Sequence, residues 1–371
     1  MATDVGAAAG VGAVSEPARV AAADEAISAD ELQLAARNHG LPLEALRFDV
    51  TPTGLHYLLT HYDIPVVDPA GFRLRIDGLV DTPLSLDVEA IRRRPRRSLL
   101  VTLECAGNGR ARLLPRPVSQ PWLVEAVGTA RWTGTPLAAL LREAGLRDGA
   151  VEVVFTGADH GIERGVEQDY QRSLPVAECL RDDVLLAYEM NDQPLPPQHG
   201  YPLRLVVPGW YGMAHVKWLT GISVVASRFD GFQMRAYRMR QQPDEEGIPL
   251  TRIEPRALLV PPGFPDFMSR RRVLRPGRTV IEGRAWSGWA PVTAVEVSVD
   301  GGSWAPADLE PAPDQWSWVR WTWPWQATAG PHRLTARAHD ASGRTQPVEQ
   351  PWNRGGFANN LVQQVTVVVP D

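Results

Sequence analysis

Val295, Val297 and Val299 alternate with polar residues up to Asp300-Gly301-Gly302, and Leu334, Ala336 and Ala338 alternate in the same way up to Asp340. A period of two places every apolar side chain on one face of a strand, and Asp-Gly closes a strand with a tight turn. Trp316, Trp318, Trp321 and Trp323 keep the same spacing and read as filling between two sheets. No helical period interrupts the pattern. Residues 258–371 are therefore expected to fold as an all-β sandwich.

The character differs upstream of Gln241–Gly247, a polar, turn-rich stretch that opens a linker over 241–257. Residues 1–44 read as a disordered tail and a short helix capped near Ser28-Ala29-Asp30-Glu31 and ended by His39-Gly40. Residues 45–240 read as an α+β region built on a mixed sheet. Phe72–Ile76, Leu99–Glu104, Val151–Thr156, Val184–Met190, Leu203–Val207, His215–Leu219 and Ile222–Val225 are the expected strands. Leu84–Arg93 is an expected helix, and so is Thr135–Gly145, with a threonine cap and an early proline. Ser173–Arg181 reads as a serine-capped helix carrying Cys179, and Gly157–Gly161 as a polar loop.

A net charge of −5 argues against general nucleic-acid binding, and Arg92–Arg97 reads as a solvated turn before a buried strand. No run reaches the ~18–20 apolar residues of a membrane span. The N-terminus lacks a basic n-region and a twin arginine, so no export signal is expected. Cys105 and Cys179 are the only cysteines, which fits two reduced thiols in a cytoplasmic setting.

Leu99–Arg110, LLVTLECAGNGR, runs from alternation into a thiol and a glycine turn. Gly107 and Gly109 carry no Cβ to hold a ligand away. Cys105 reads as a metal ligand, a buried small hydrophobe or a catalytic nucleophile, and the residues alone leave these open. CxxC, HExxH and CxxCH spacings are absent, which disfavours a closed zinc site and a haem attachment. His61, His160, His199, Arg204, His215 and Lys217 fall at or near expected strand ends. Together they suit capture of a phosphate-bearing ligand, although no GxGxxG or GxxxxGK[ST] makes it a nucleotide.

TLECAGNGR, TARWTGTPL, VLLAYEMNDQPLPPQHGYPLRLVVPG and GMAHVKWLTGISV, in that order and spacing, resemble the molybdenum-cofactor domain of the sulfite oxidase family. GRAWSGWAPVTAVEVSVDGGSW and PWNRGGFANN resemble that family's immunoglobulin-like dimerisation domain. The resemblance implies that Cys105 ligates molybdenum and that His61, Tyr62, Asp159, His199, Arg204, His215 and Lys217 hold the molybdopterin. It also implies that Arg110 lines the substrate pocket and that Tyr237 stands near the metal. Oxygen-atom transfer, sulfite as substrate, an external electron carrier and a homodimer are implied with it. No haem or flavin segment is expected. A reductase of nitrate or of an S- or N-oxide is the alternative on the same scaffold. A non-enzymatic binding protein working through its Ig-like module is a distant one.

Two positions depart from the family pattern. Leu59-Thr60-His61 stands where sulfite-oxidising relatives carry Arg-Asn-His, and Arg354 follows Trp352-Asn353 one residue early. Each lost charge-assisted contact to a small dianion forfeits ~1.5–3 kcal/mol, so two weaken sulfite binding about a hundredfold or more. Leu59 and Arg354 are thus the expected determinants of substrate choice. Arg37-Asn38-His39, upstream, lacks the aromatic and proline context of the family motif.

Overall fold

The computed structural model describes residues 19–371. Most of the expected tail lies outside the described residues, but its end is ordered, with Val20 bridging Pro117 and Arg19 paired with Glu25. The helix forms over Ala29–Arg37 through a reciprocal cap, in which the Ser28 hydroxyl accepts from Glu31 N–H and the Glu31 carboxylate accepts from Ser28 N–H.

Two sheets make the next region. The first, mixed, sheet runs Leu84–Leu86, Leu74–Gly78, Leu219–Val225, Glu152–Glu163 and Val166–Pro175 in space, with only the Leu74–Gly78 and Leu219–Val225 pair parallel. The second pairs Arg97–Glu104 with Val127–Pro136, then Leu185–Met190, against which Gln193–Pro194 and Arg204–Val206 lie. Their shared core includes Leu74, Ile76, Phe155, Leu205 and Ile222, all fully buried.

Several local expectations are corrected. Leu84–Leu86 is a strand, because Asp87 intervenes as an N-cap and lets the helix begin only at Val88. Thr135 caps nothing: it ends a strand and donates its hydroxyl to Ile91 O at 3.0 Å, and the helix is Leu137–Ala144. Gly157–Gly161 is no loop but part of the Glu152–Glu163 strand, drawn on past a register shift by its pairing with Val166–Pro175. Ser173 belongs to that partner strand and donates to Glu152 at 2.6 Å, leaving only Val176–Cys179 helical. His215–Trp218 is an irregular connection, and Trp218 sits at φ +49°.

Residues 256–369 form two sheets packed face to face. One runs Arg256–Leu259, Gly277–Trp286, Val319–Ala327 and Asp308–Leu309. The other runs Phe264–Pro265, Arg272–Val273, Gln364–Val369, Gly330–Asp340, Val292–Val299 and Ala305–Pro306. Val295, Val297, Leu334, Ala336 and Ala338 fill the space between them, as their alternation predicts. The tryptophans divide. Trp321 and Trp325 enter the sandwich, whereas Trp316 and Trp318 precede the strand and reach the first region, where their indole N–H groups donate to Asp183 at 2.7 Å and Asp49 O at 2.8 Å. A third apolar cluster, with Ala106, Tyr211, Trp286, Trp318 and Phe357, joins the two halves. The chain is thus α+β, followed by an Ig-like sandwich.

Candidate active site

The strand Arg97–Glu104 delivers Cys105 to a tight turn. Asn108 N–H donates to Cys105 O and Arg110 N–H to Gly107 O, each at 3.0 Å. Gly109 takes φ +93°, and a Cβ there would meet Asn359 O at 2.8 Å, so glycine is required. The second half of the chain holds this turn directly. Ala358 N–H donates to Ala106 O, Asn359 Nδ2 to Gly109 O and Arg110 Nε to Gly355 O. Beneath it Glu104, 1% exposed, pairs with Arg256 at 2.8 Å and accepts from Trp286 Nε1 at 2.7 Å and Asn108 Nδ2 at 3.0 Å.

Cys105 stands where two spaces meet. On one side is a cavity of about 670 Å³, mouth included, whose wall carries Asp159, His199, Arg204, His215 and Lys217. On the other is a wide cleft reaching Arg37, Arg110, Arg164 and Arg354. Leu59, His61, Cys105 and Tyr237 line both. Burial pushes the Cys105 thiol up, and the neighbouring Arg110 charge works against that shift.

Inside the cavity, burial lowers four imidazoles and keeps them neutral, His61 among them. His56 is pushed down to about 4, His215 to about 3 and His199 to about 2. His215 receives Val207 N–H on Nδ1 and donates from Nε2 to Trp210 O, so backbone groups fix its tautomer and use both nitrogens. Arg204 donates to His199 O and His215 O and stacks 4.6 Å from the Trp132 centroid; burial lowers it to about 10. Lys217 Nζ donates to Leu59 O and Gln198 O; burial lowers it, and the nearby Asp159 charge opposes the shift. Burial raises Asp159.

The polar atoms left over define what this cavity accepts. Asp159 Oδ1, Arg204 Nε and His56 Nε2 are buried without a hydrogen-bond partner. Such atoms cost free energy unless a ligand meets them. Acceptors, donors and cations converge on one space with a thiol at its entrance. That donor set fits a molybdopterin, whose phosphate and pterin edge need such partners and whose metal takes a soft thiolate. Among the described residues no three His, Cys, Asp or Glu side chains gather as a metal site.

His61 and Tyr237 meet directly, Nε2 to hydroxyl at 2.8 Å. Arg110 is 6% exposed, donates only to Gly355 O and Gln120 O, and stacks 5.1 Å from the Phe357 centroid. Among the described residues no carboxylate stands within ion-pair range of its buried charge. Tyr62 lies apart from the cavity wall, its ring under Gly161 and its hydroxyl towards Glu163 and Gln233. Leu59 lines the junction, and Arg354 stands in the outer cleft. Arg37-Asn38-His39 runs beside Leu58–Tyr62, with Arg37 held by Thr60 and Tyr62 O. Sequence reasoning passed over His56, which lacked a motif, and Trp122, whose buried indole N–H stands by the Cys105 thiol and favours its thiolate. It also passed over Tyr170, which donates to Met213 O in the cavity wall.

Residues 61–233 match the oxidoreductase molybdopterin binding domain, and residues 266–369 the Mo-co oxidoreductase dimerisation domain. The chain is 35% identical to chicken (Gallus gallus) sulfite oxidase over 85% of this chain and 72% of that protein. It is 34% identical to the mitochondrial sulfite oxidase of Mus musculus over 86% of this chain, and spans 62% of that longer protein. The sulfane dehydrogenase SoxCD of Paracoccus pantotrophus superposes with a TM-score of 0.76 at 27% identity, covering 90% of this chain and 86% of that one. A molybdopterin-type oxidoreductase fold with an Ig-like second domain is thereby defined. The chain belongs to the sulfite oxidase family.

Proposed function

We propose that the protein oxidises a small sulfur oxyanion by oxygen-atom transfer, with sulfite to sulfate as the reference reaction. Water supplies the oxygen, and two electrons pass to an external carrier. The observation that carries this reading is the buried, uncompensated Arg110 beside Cys105, at the meeting point of cavity and cleft. A bound molybdenum–molybdopterin group would supply the oxygen transfer and the two-electron redox chemistry. His61, Asp159, His199, Arg204, His215 and Lys217 would cradle its organic part, and Cys105 its metal. Arg110 would hold the anion, because an unpaired guanidinium in a dry pocket gains most from a negative guest. The His61–Tyr237 pair would orient it.

Residues 45–240 are read as the catalytic unit and 258–371 as the dimerising one, with a linker between them. A homodimer is supported by the dimerisation-domain match and by Phe264, Phe267 and Met268, which are exposed on one hairpin of the sandwich. Two buried free thiols suit a reducing cytoplasm. Among the described residues no helix is long and apolar enough to cross a membrane.

The test is expression with a competent molybdopterin supply, followed by metal analysis and sulfite-dependent ferricyanide reduction. About one molybdenum per chain and turnover that disappears in Cys105→Ser are expected. A chain that folds without taking up molybdenum would sink the reading.

A further inference from the structure

The cleft around Cys105 holds one buried, unpaired charge, with the Trp122 indole N–H beside it. Arg110 is 6% exposed, and among the described residues no carboxylate pairs with it. Around it stand Phe357, over which its guanidinium stacks, and Trp122, 7% and 3% exposed. Leu59 closes the remaining side at the junction with the cavity. His61 is kept neutral by burial, and Lys217 is spent on Leu59 O and Gln198 O. The half-buried Arg164 and Arg354 side chains line the same cleft, and the Arg164 charge reaches Arg110.

One cation in a low-dielectric pocket balances one negative charge. A dianion such as sulfite would leave its second charge buried and uncompensated. A neutral sulfoxide would leave Arg110 itself unpaired. A compact dianion also leaves the Phe357 and Leu59 surfaces bare, whereas an organic group would cover them. We infer that the substrate is an organic sulfinate, a monoanionic sulfur headgroup on an apolar body, with Arg110 binding the head and Leu59 and Phe357 the body. This rests on the oxygen-transfer reading above.

The net reaction is R–SO₂⁻ + H₂O → R–SO₃⁻ + 2H⁺ + 2e⁻. One S–O bond forms, sulfur is oxidised by two electrons, water loses both protons to solvent, and the electrons leave to the external acceptor. The carbon–sulfur bond is untouched.

The experiment compares benzenesulfinate, methanesulfinate and sulfite as substrates of the molybdenum-loaded full chain, with ferricyanide as acceptor. Benzenesulfinate is expected to show a kcat/KM at least tenfold above sulfite, with methanesulfinate between them. Leu59→Arg, which adds a second cation and removes an apolar wall, should shift that ratio at least tenfold towards sulfite. Independently of any variant, benzenesulfonate should bind the wild-type protein at least tenfold more tightly than sulfate, read by tryptophan fluorescence. Preference for sulfite by the wild-type enzyme overturns the sulfinate assignment and leaves the oxygen-transfer reading standing. Failure of the loaded protein to oxidise any of the three overturns both.

Discussion

Glu104 and Arg256 form an ion pair at 2.8 Å across the boundary between the two halves of the chain, with both side chains almost wholly buried. Glu104 directly precedes Cys105, so the pair ties the position of the thiol to the first strand of the second domain. Trp286 and Asn108 satisfy the same carboxylate, and Arg256 also reaches Asn359 O. The sandwich therefore does more than flank the catalytic half. It supplies the floor on which the Cys105 turn rests.

Removing one partner of a buried pair leaves the other charged and alone, which costs about 3–5 kcal/mol. Glu104→Ala is expected to destabilise the protein by that amount in urea denaturation and to lower molybdenum content in the folded fraction. A change below about 1 kcal/mol would show that the pair anchors nothing.

Gly107 tests the position of Arg110 without touching the arginine. A Cβ at residue 107 would lie 2.7 Å from the Arg110 guanidinium carbon, so the guanidinium must move away from Gly355 O and Gln120 O. Gly107→Ala should leave stability within about 1 kcal/mol and metal content unchanged. KM for the anionic substrate should rise by about ten- to a hundredfold, the size of one lost charge-assisted contact. Unchanged KM would remove Arg110 from substrate binding.

Tyr237→Phe deletes the hydroxyl that meets His61 Nε2 at 2.8 Å. The ring still packs against Phe357, 5.2 Å between centroids, so the fold should survive. The lost hydrogen bond and the buried nitrogen left behind together forfeit about 1–3 kcal/mol. A kcat lower by about ten- to a hundredfold is expected in steady-state assays, with metal content intact. Wild-type kcat would place the pair outside the reaction.

Elements whose signal was local could be read from the chain. The alternation in Leu99–Leu103 and Val295–Val299 gave those strands, and the Ser28–Glu31 box gave the first helix. What sequence could not show were partners far along the chain. Gly157–Gly161 looks like a loop until Gln168 and Asp169 pair with it, and Ser173 looks like a cap until Glu152 takes its hydroxyl. Trp316 and Trp318 follow the period of a strand, yet Asp183 and Asp49 draw them to the interface. In the site, motifs located Cys105 and the cavity cations. The charge isolation of Arg110 and the Glu104–Arg256 floor emerge only once the two halves are packed together.

The neutral imidazoles of the cavity make stability depend on pH. His56, His199 and His215 are pushed by burial to about 4, 2 and 3, below the ordinary histidine value of about 6.5. Between about pH 6.5 and pH 4 the unfolded chain binds protons that these folded groups refuse. Stability present above pH 6.5 is therefore lost as pH falls, by about 1.4 kcal/mol per pH unit for each imidazole. Asp159, raised by burial, acts in the opposite sense, since its folded form keeps a proton that the unfolded carboxylate has released. His61, which burial also lowers, adds to the imidazole side, while His160 and His332, raised by their carboxylate partners, act with Asp159; the net is a loss on the order of 1–3 kcal/mol per pH unit in the cofactor-free protein. Urea denaturation of that form at pH 7, 6 and 5 should show stability flat at first and then falling, and His56→Phe should take about a quarter off the imidazole contribution to the slope. A flat curve down to pH 5 would mean that the cavity imidazoles accept protons in the folded state. The wall around the pterin site would then be solvated rather than dry.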